Sequence, residues 1–160
     1  MSEDIRKPFS IPRFKLPAVF ARVGNKLPQW PHAVALTTGL NAVVKMKLIP
    51  DDSLDLLEGR SFLVDVLDSG GRACFTCRGG LFRPLFTMPE MPDLAFRANL
   101  SAFLQLLARQ EDPDTLFFNR ELSIEGDTEL GLVVKNMLDA IEWPTLPRLP
   151  GLSTLLSLRN

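Results

Sequence analysis

Proline placement confines this chain before any other feature does. Pro8, Pro12, Pro17, Pro28 and Pro31 divide residues 7–31 so that only residues 18–26 have room for a helix. Proline lacks the backbone N–H a helix needs, and its ring clashes with the preceding turn. The same punctuation returns in "PTLPRLPG" at the other end. Three parts follow: a basic, proline-rich arm over 1–31, a domain over 32–143 and an apolar tail over 144–160. A chain of 160 residues suits one domain around one core.

Hydrophobic spacing orders the middle part. In "HAVALTTGLNAVVKMKL", Ala33, Leu36, Leu40, Val43, Val44 and Leu48 share a helical face, with Lys45 and Lys47 at the carboxyl end. "IPDDSLDLLEGR" is a polar turn leading into a short helical or extended link. "SFLVDVLD" (61–68) and "RACFTC" (72–77) flank "SGG" and read as a hairpin, "GGLFRPLF" (79–86) continues the meander, and "LAFRAN" (94–99) is a fourth strand. Asp65 alternates with Val64 and Val66, which predicts a solvated strand acid. A helix then carries Leu100, Phe103, Leu104 and Leu107 on one face.

The segment "EDPDTLFFNRELSIEGDTELGLVVKN" holds enough acid to suggest catalysis. Its local logic is structural instead. Asp112 caps a helix that opens on Pro113, and Asp114 complements the positive amino end. Leu122 and Ile124 alternate with Glu121, Ser123 and Glu125, a half-buried fifth strand. Gly126 turns the chain, Asp127 caps the next helix, and Glu129 suits its first turn. That helix aligns Leu130, Val133, Val134, Met137, Leu138 and Ile141. Glu125 and Glu129 are the only pair worth weighing for acid–base work. No histidine accompanies them, and the chain has no nucleophile elbow, P-loop or dinucleotide fingerprint. The expectation is a protein that is not an enzyme.

Composition narrows the rest. Cys74 and Cys77 lie three apart in a strand, so they point to opposite faces, and with His32 the only histidine they cannot complete a zinc site. They read as ordinary thiols, and no metal or cofactor is expected. The net charge of −1 conceals an asymmetry: residues 1–30 carry six basic residues against two acids, and residues 31–143 carry ten against seventeen. Basic arms on an acidic body suit an anionic surface or acidic partner, not nucleic-acid reading. No apolar run nears the ~20 residues of a membrane span, and "MSEDIRKPFS" does not read as a secretory signal. Cytoplasmic location with peripheral membrane contact is the expectation. In the arm, Phe14, Leu16, Val19, Phe20, Val23 and Leu27 alternate with cations. Either the arm packs over the domain with its charges in water, or Arg13, Phe14, Lys15, Phe20, Arg22 and Lys26 meet a membrane surface.

"LARQEDPDTLFFNRELSIEGDTELGLVVKNMLDAIEW" (107–143), with its D-P-D-T-L-F-F and I-E-G-D-T-E-L-G motifs, strongly resembles the accessory factors of oxygen-independent ubiquinone biosynthesis. These are a bacterial branch of the sterol carrier protein type 2 family of lipid-binding domains. "LLEGRSFLVDVLD" fits the first strand of the same domain, and the likeness fades at both ends. The resemblance implies an α+β fold: a largely antiparallel five-stranded sheet covered on one face by helices, with a hydrophobic lipid tunnel between. The strand count agrees with the pattern above; the tunnel comes from the family alone. It also implies a non-catalytic role, holding prenylated quinone precursors or phospholipid for iron–sulphur proteins that hydroxylate the ring without oxygen.

No catalytic motif transfers with the resemblance, so lining residues are chosen by apolarity and placement. They are Phe75, Phe82, Phe96, Phe103, Leu104, Leu107, Phe117, Phe118, Leu130, Val134, Met137 and Leu138, each of which plain core packing would also explain. The tail's Leu152, Leu155, Leu156 and Leu158 suit a lid, a membrane-touching helix or a homodimer contact. A generic phospholipid carrier and a protein-binding scaffold are the rival readings.

Overall fold

The computed structural model describes residues 11–108 and 110–141. The tail, Trp143 and the first ten residues of the arm lie outside the described residues, and with them the expectations placed there.

Helix α1 (Ala18–Lys26) fills the longest proline-free interval of the arm, starting after Pro17 and stopping before Pro28. Helix α2 (Trp30–Lys45) carries Pro31 in its first turn, where the fixed φ of proline is suited to the helix. Helix α3 (Asp51–Leu57) follows Pro50, with Asp51 and Asp52 against its positive end. Strands β1 (Ser61–Val66), β2 (Gly71–Arg78) and β3 (Leu81–Pro84) form the meander, and β4 (Leu94–Ala98) follows a loop. Helices α4 (Leu100–Leu107) and α5 (Pro113–Phe118), strand β5 (Leu122–Gly126) and helix α6 (Thr128–Ala140) complete the order. The five strands lie in one sheet, β3-β2-β1-β4-β5, antiparallel except for the parallel pair β1–β4. The α+β architecture is the expected one.

Both predicted caps hold. Asp112 accepts from the backbone N–H and the hydroxyl of Thr115, each at 2.8 Å, and Asp127 accepts from Leu130 N–H at 3.1 Å. At the far edge of the sheet, Asn41 of α2 makes a two-way bond to β3: its amide donates to the Phe82 carbonyl and its oxygen accepts from Phe82 N–H, both at 2.8 Å. The open edge is thereby covered by a helix side chain, which removes a template for strand pairing.

Register sorts the sheet into two faces. Phe62, Val64, Phe75, Cys77, Phe82, Leu94, Phe96 and Ile124 join Leu54, Leu57, Leu130, Val134 and Met137 in one apolar cluster under the helices. The opposite face holds a smaller cluster of Leu63, Cys74 and Ala95, with Leu85 from the loop after β3. Asp65 departs from expectation here. It is only 7% exposed, because pairing sets it opposite Arg72 on β2 and Arg97 on β4. Both guanidinium Nε atoms stand 3.6 Å from its carboxylate. Two flanking cations make a strand acid tolerable in a nearly buried position.

Helix α1 docks by backbone contact. A Cβ on Gly24 would lie 1.9 Å from the Ser69 carbonyl oxygen, and one on Gly70 would lie 2.6 Å from that of Ala21. Only glycines allow the helix to sit this close to the β1–β2 turn. Asp68, 4% exposed, ties the same corner: its carboxylate accepts from Leu16 N–H at 2.9 Å and Leu100 N–H at 2.8 Å.

The two thiols lie on opposite faces, as their spacing requires, and both are buried and free. Burial pushes Cys77 up to about 11, with Glu58 adding to the effect, and burial also raises Cys74 against the opposing pull of Arg72. Since the thiolate is the nucleophile, iodoacetamide at pH 7.5 should leave both unmodified in the native protein and label both in denaturant. Rapid native labelling would contradict their placement. The Gly24→Ala change should cost about 1–3 kcal/mol of stability through forced overpacking, read as a lower midpoint in urea. An unchanged midpoint would mean that α1 is not docked on the turn.

Candidate lipid-binding site

The apolar layer between the sheet and α2, α3 and α6 is built by two periodicities. Residues i, i+4 and i+7 of α6, Leu130, Val134 and Met137, point inward. Alternate residues of β1, β2 and β4 meet them. Phe62 stacks on Phe75 with centroids 5.2 Å apart, and Phe75 meets Phe82 edge-on at 5.8 Å. Leu36, Leu40, Val43 and Val44 of α2 close the layer from above. Each fully buried side chain of this size contributes roughly 1.5–3 kcal/mol. These side chains touch one another, so an occupant must part them, and the flexible thioether of Met137 is the one best able to give way.

Not all twelve residues selected from the sequence meet in this layer. Phe75, Phe82, Leu130, Val134 and Met137 are buried in it, with Phe96 and Leu138 packed against it. Phe103 belongs to a second cluster around Ala98, Ala102, Leu116 and Leu122, and Leu104 is half-buried. Leu107, Phe117 and Phe118 lie on the surface, Phe118 at 79% exposure. In α5 the inward position is taken by Leu116, which is fully buried, and successive residues turn about 100° away from it.

The arm divides into a strap and a helix. Residues 11–16 run along α4, held by side chains of the domain. Gln110 accepts from Ile11 N–H at 2.6 Å and donates to its carbonyl at 2.9 Å, Gln105 donates to that carbonyl at 3.1 Å, and Ser101 donates to the Phe14 carbonyl at 2.8 Å. Arg13 pairs with Glu121 at 2.6 Å and with Glu111 at 3.8 Å. Phe14 is half-buried and Lys15 is exposed.

Helix α1 presents the opposite character. Its docked side carries Gly24, while Phe20, Val23 and Leu27, with Trp30 beyond, make a stripe in which each side chain is more than half exposed. Val19 borders the stripe, and the exposed Arg22 and Lys26 belong to the same helix. A recess of about 420 Å³ opens beside it, with Pro28 and Trp30 on one wall and Cys74, Leu85, Phe86 and Met88 on the other. Trp30, Phe86 and Met88 were not among the residues chosen from the sequence. Trp30 continues the helical spacing of Leu27, but Pro28 interrupts the pattern between them.

A further recess of about 380 Å³ lies under the strap, lined by residues of the strap, of α4 and of the α5–β5 turn. Of the two acids weighed for acid–base work, Glu125 is tied up by neighbours and Glu129 stands in solvent. Glu125 lies against Arg97, whose hydrogen bond and charge hold its carboxyl below the usual range, and it accepts from Ser123. Glu129 is exposed in the first turn of α6. Among the described residues no group of three or more His, Cys, Asp or Glu is placed to hold a metal ion, and no helix is long and apolar enough to cross a membrane.

Comparison with known proteins agrees with this geometry. The ubiquinone biosynthesis accessory factor UbiT of Escherichia coli (strain K12) is 42% identical over 100 residues, which are 62% of this chain and 56% of that protein. UbiT of Escherichia coli O157:H7 matches to the same extent. The chain thus spans about half the length of the curated relatives it matches. Among solved structures, the UbiJ-SCP2 ubiquinone synthesis protein superposes with a TM-score of 0.53 at 17% identity, over 68% of this chain and 96% of that one. At that identity the likeness concerns the fold. Residues 33–139, from the start of α2 to the end of α6, match the SCP-2 sterol transfer family, and the chain belongs to it.

Proposed function

We propose that this protein is a non-catalytic, lipid-binding accessory factor of ubiquinone biosynthesis, acting in the oxygen-independent route. It holds a prenylated quinone intermediate, or phospholipid, in the layer between the sheet and α2, α3 and α6. It works at the membrane surface and presents the ring to iron–sulphur hydroxylating partners. The observation that carries this reading is the 42% identity to a ubiquinone biosynthesis accessory factor across 100 residues. The α1 stripe supports the membrane part, since exposed aromatic and aliphatic side chains beside Arg22 and Lys26 suit an anionic lipid interface.

Magnitudes are compatible with the role. Each buried methylene contributes about 0.8 kcal/mol, so a few isoprene units support micromolar affinity after association costs. A long tail exceeds what such a layer can shield, and a protein that shields part of it must stay near the bilayer.

Native mass spectrometry of the purified chain, followed by solvent extraction, tests the ligand. A copurified prenylated phenol or quinone is the expected result. Phospholipid alone would favour a general lipid carrier, and a protein that stays empty after incubation with polyprenyl vesicles would favour a scaffold. The surface helix is tested separately. Phe20→Ser with Val23→Ser should lower partition onto anionic vesicles by about tenfold or more. Reversal of Lys15, Arg22 and Lys26 to Glu should abolish the salt dependence of binding. Unaltered partition in both variants would remove α1 from the membrane contact.

A further inference from the structure

The loop from β3 to β4 holds apolar side chains out in water while both of its ends are fixed. At its start Leu85 N–H donates to the Cys74 carbonyl at 2.8 Å, and the Leu85 side chain packs on Leu63, Cys74 and Ala95. At its end the Asp93 carboxylate accepts from Ser61 N–H at 2.7 Å, and the Asp93 carbonyl accepts from Asp127 N–H at 2.9 Å. Between these anchors Phe86 is 73% exposed, Met88 45% and Met91 87%. One exposed apolar residue is ordinary, but several together mark a contact surface. Phe86 and Met88 share the recess of about 420 Å³ with Pro28 and Trp30, and Trp30 lies just beyond the α1 stripe. Helix and loop flank one recess.

Two observations indicate what covers this surface. The first is charge. Arg22 and Lys26 on α1 and Arg72 on the recess wall are exposed cations, against Glu90 as the single acid of residues 85–92. Residues 11–31 contain four basic residues and no acid. That balance suits an anionic layer. The second is hydrogen bonding. Gln29, the one amide side chain on the wall, is spent within the protein. It donates to the Gly24 and Leu27 carbonyls at 3.0 and 3.1 Å and accepts from Arg72 N–H at 2.8 Å. Pro89 and Pro92 remove two backbone donors from the loop. A protein partner reads polar groups, at roughly one hydrogen bond per 100–200 Å². Hydrocarbon offers none and penalises each group left unmet, so few free donors among several cations fit lipid.

We propose that residues 86–91 and α1 enter the same leaflet of an anionic bilayer, with acyl chains filling the recess between Trp30 and Phe86. The loop contact rests on the membrane role proposed above and adds an orientation to it. Helix α1 has nine residues, a length of about 13 Å, and a single stripe leaves the body free to roll about the helix axis. A second contact, on a loop fixed to the sheet at both ends, stops that rotation. Unbranched thioethers at Met88 and Met91 adapt to disordered chains. The indole of Trp30, apolar with one polar edge, suits the level of the headgroups.

The test uses the full chain and vesicles of phosphatidylethanolamine and phosphatidylglycerol. Phe86→Ser with Met88→Ser should lower partition by about tenfold or more. Both residues are exposed, so the circular dichroism spectrum should stay that of the parent. Trp30 reports insertion directly in a Trp143→Phe background, where it is the only tryptophan. On vesicles it should become shielded from acrylamide and be quenched by lipids brominated along the acyl chain. Unaltered partition of the loop variant, or a Trp30 equally open to acrylamide on and off vesicles, overturns the loop contact. If Phe20→Ser with Val23→Ser still weakens binding in that case, the α1 contact stands alone. A chain that does not partition at all removes the loop contact and the membrane part of the proposed function together. Its ligand part is still decided by the lipid extraction.

Discussion

Strand β1 lies between β2, its neighbour in sequence, and β4, which reaches it only after the meander and a loop. Their parallel pairing sets Phe62 beside Leu94 and Val64 beside Phe96, joining the half of the core under α2 to the half under α6. Without it, β1–β3 with α2 and β4–β5 with α6 would be two small layers, each too thin to exclude water by itself. The same register sets Asp65 beside Arg97 on the far face, where the β1–β2 pairing sets it opposite Arg72, so the parallel pairing completes both the continuous apolar layer and the charged row behind it.

Around that core the protein keeps two kinds of unfinished surface. The α1 stripe is apolar and outward, held in place by a backbone contact that leaves its large side chains uncommitted. The recess under the strap is lined mainly by polar and charged residues, among them Arg13, Lys15, Arg120 and Glu121. The two are reached from the same arm, whose strap is pinned by Asp68, Ser101, Gln105 and Gln110. In the proposed function the α1 stripe meets the bilayer and the sheet-and-helix layer receives the ligand.

Much of the fold was legible in the residues. The interval between Pro17 and Pro28 is the helix expected there, the five strands fall where alternation put them, and Asp112 and Asp127 cap as their positions suggest. The site was legible only in part. Phe75, Phe82, Leu130, Val134 and Met137 meet in the layer because strand and helix periods face them inward. Phe117 and Phe118 do not, because Leu116 had already taken the inward position of a six-residue helix. Ser101 and Gln105, which hold the strap, gave no signal, being two polar residues in an otherwise apolar helix, and Glu121, which pairs with Arg13, looked like an ordinary outward strand residue.

What the sequence by itself determined was local: where helices begin and end, which strand residues share a face, and that the two thiols are separated. Those properties follow from backbone chemistry and from periods of two and 3.6 residues, which act over one or two turns. The tertiary structure decided the order β3-β2-β1-β4-β5, the burial of Asp65 and the strap along α4. Each depends on residues distant in the chain arriving at one place, and no local periodicity carries that information.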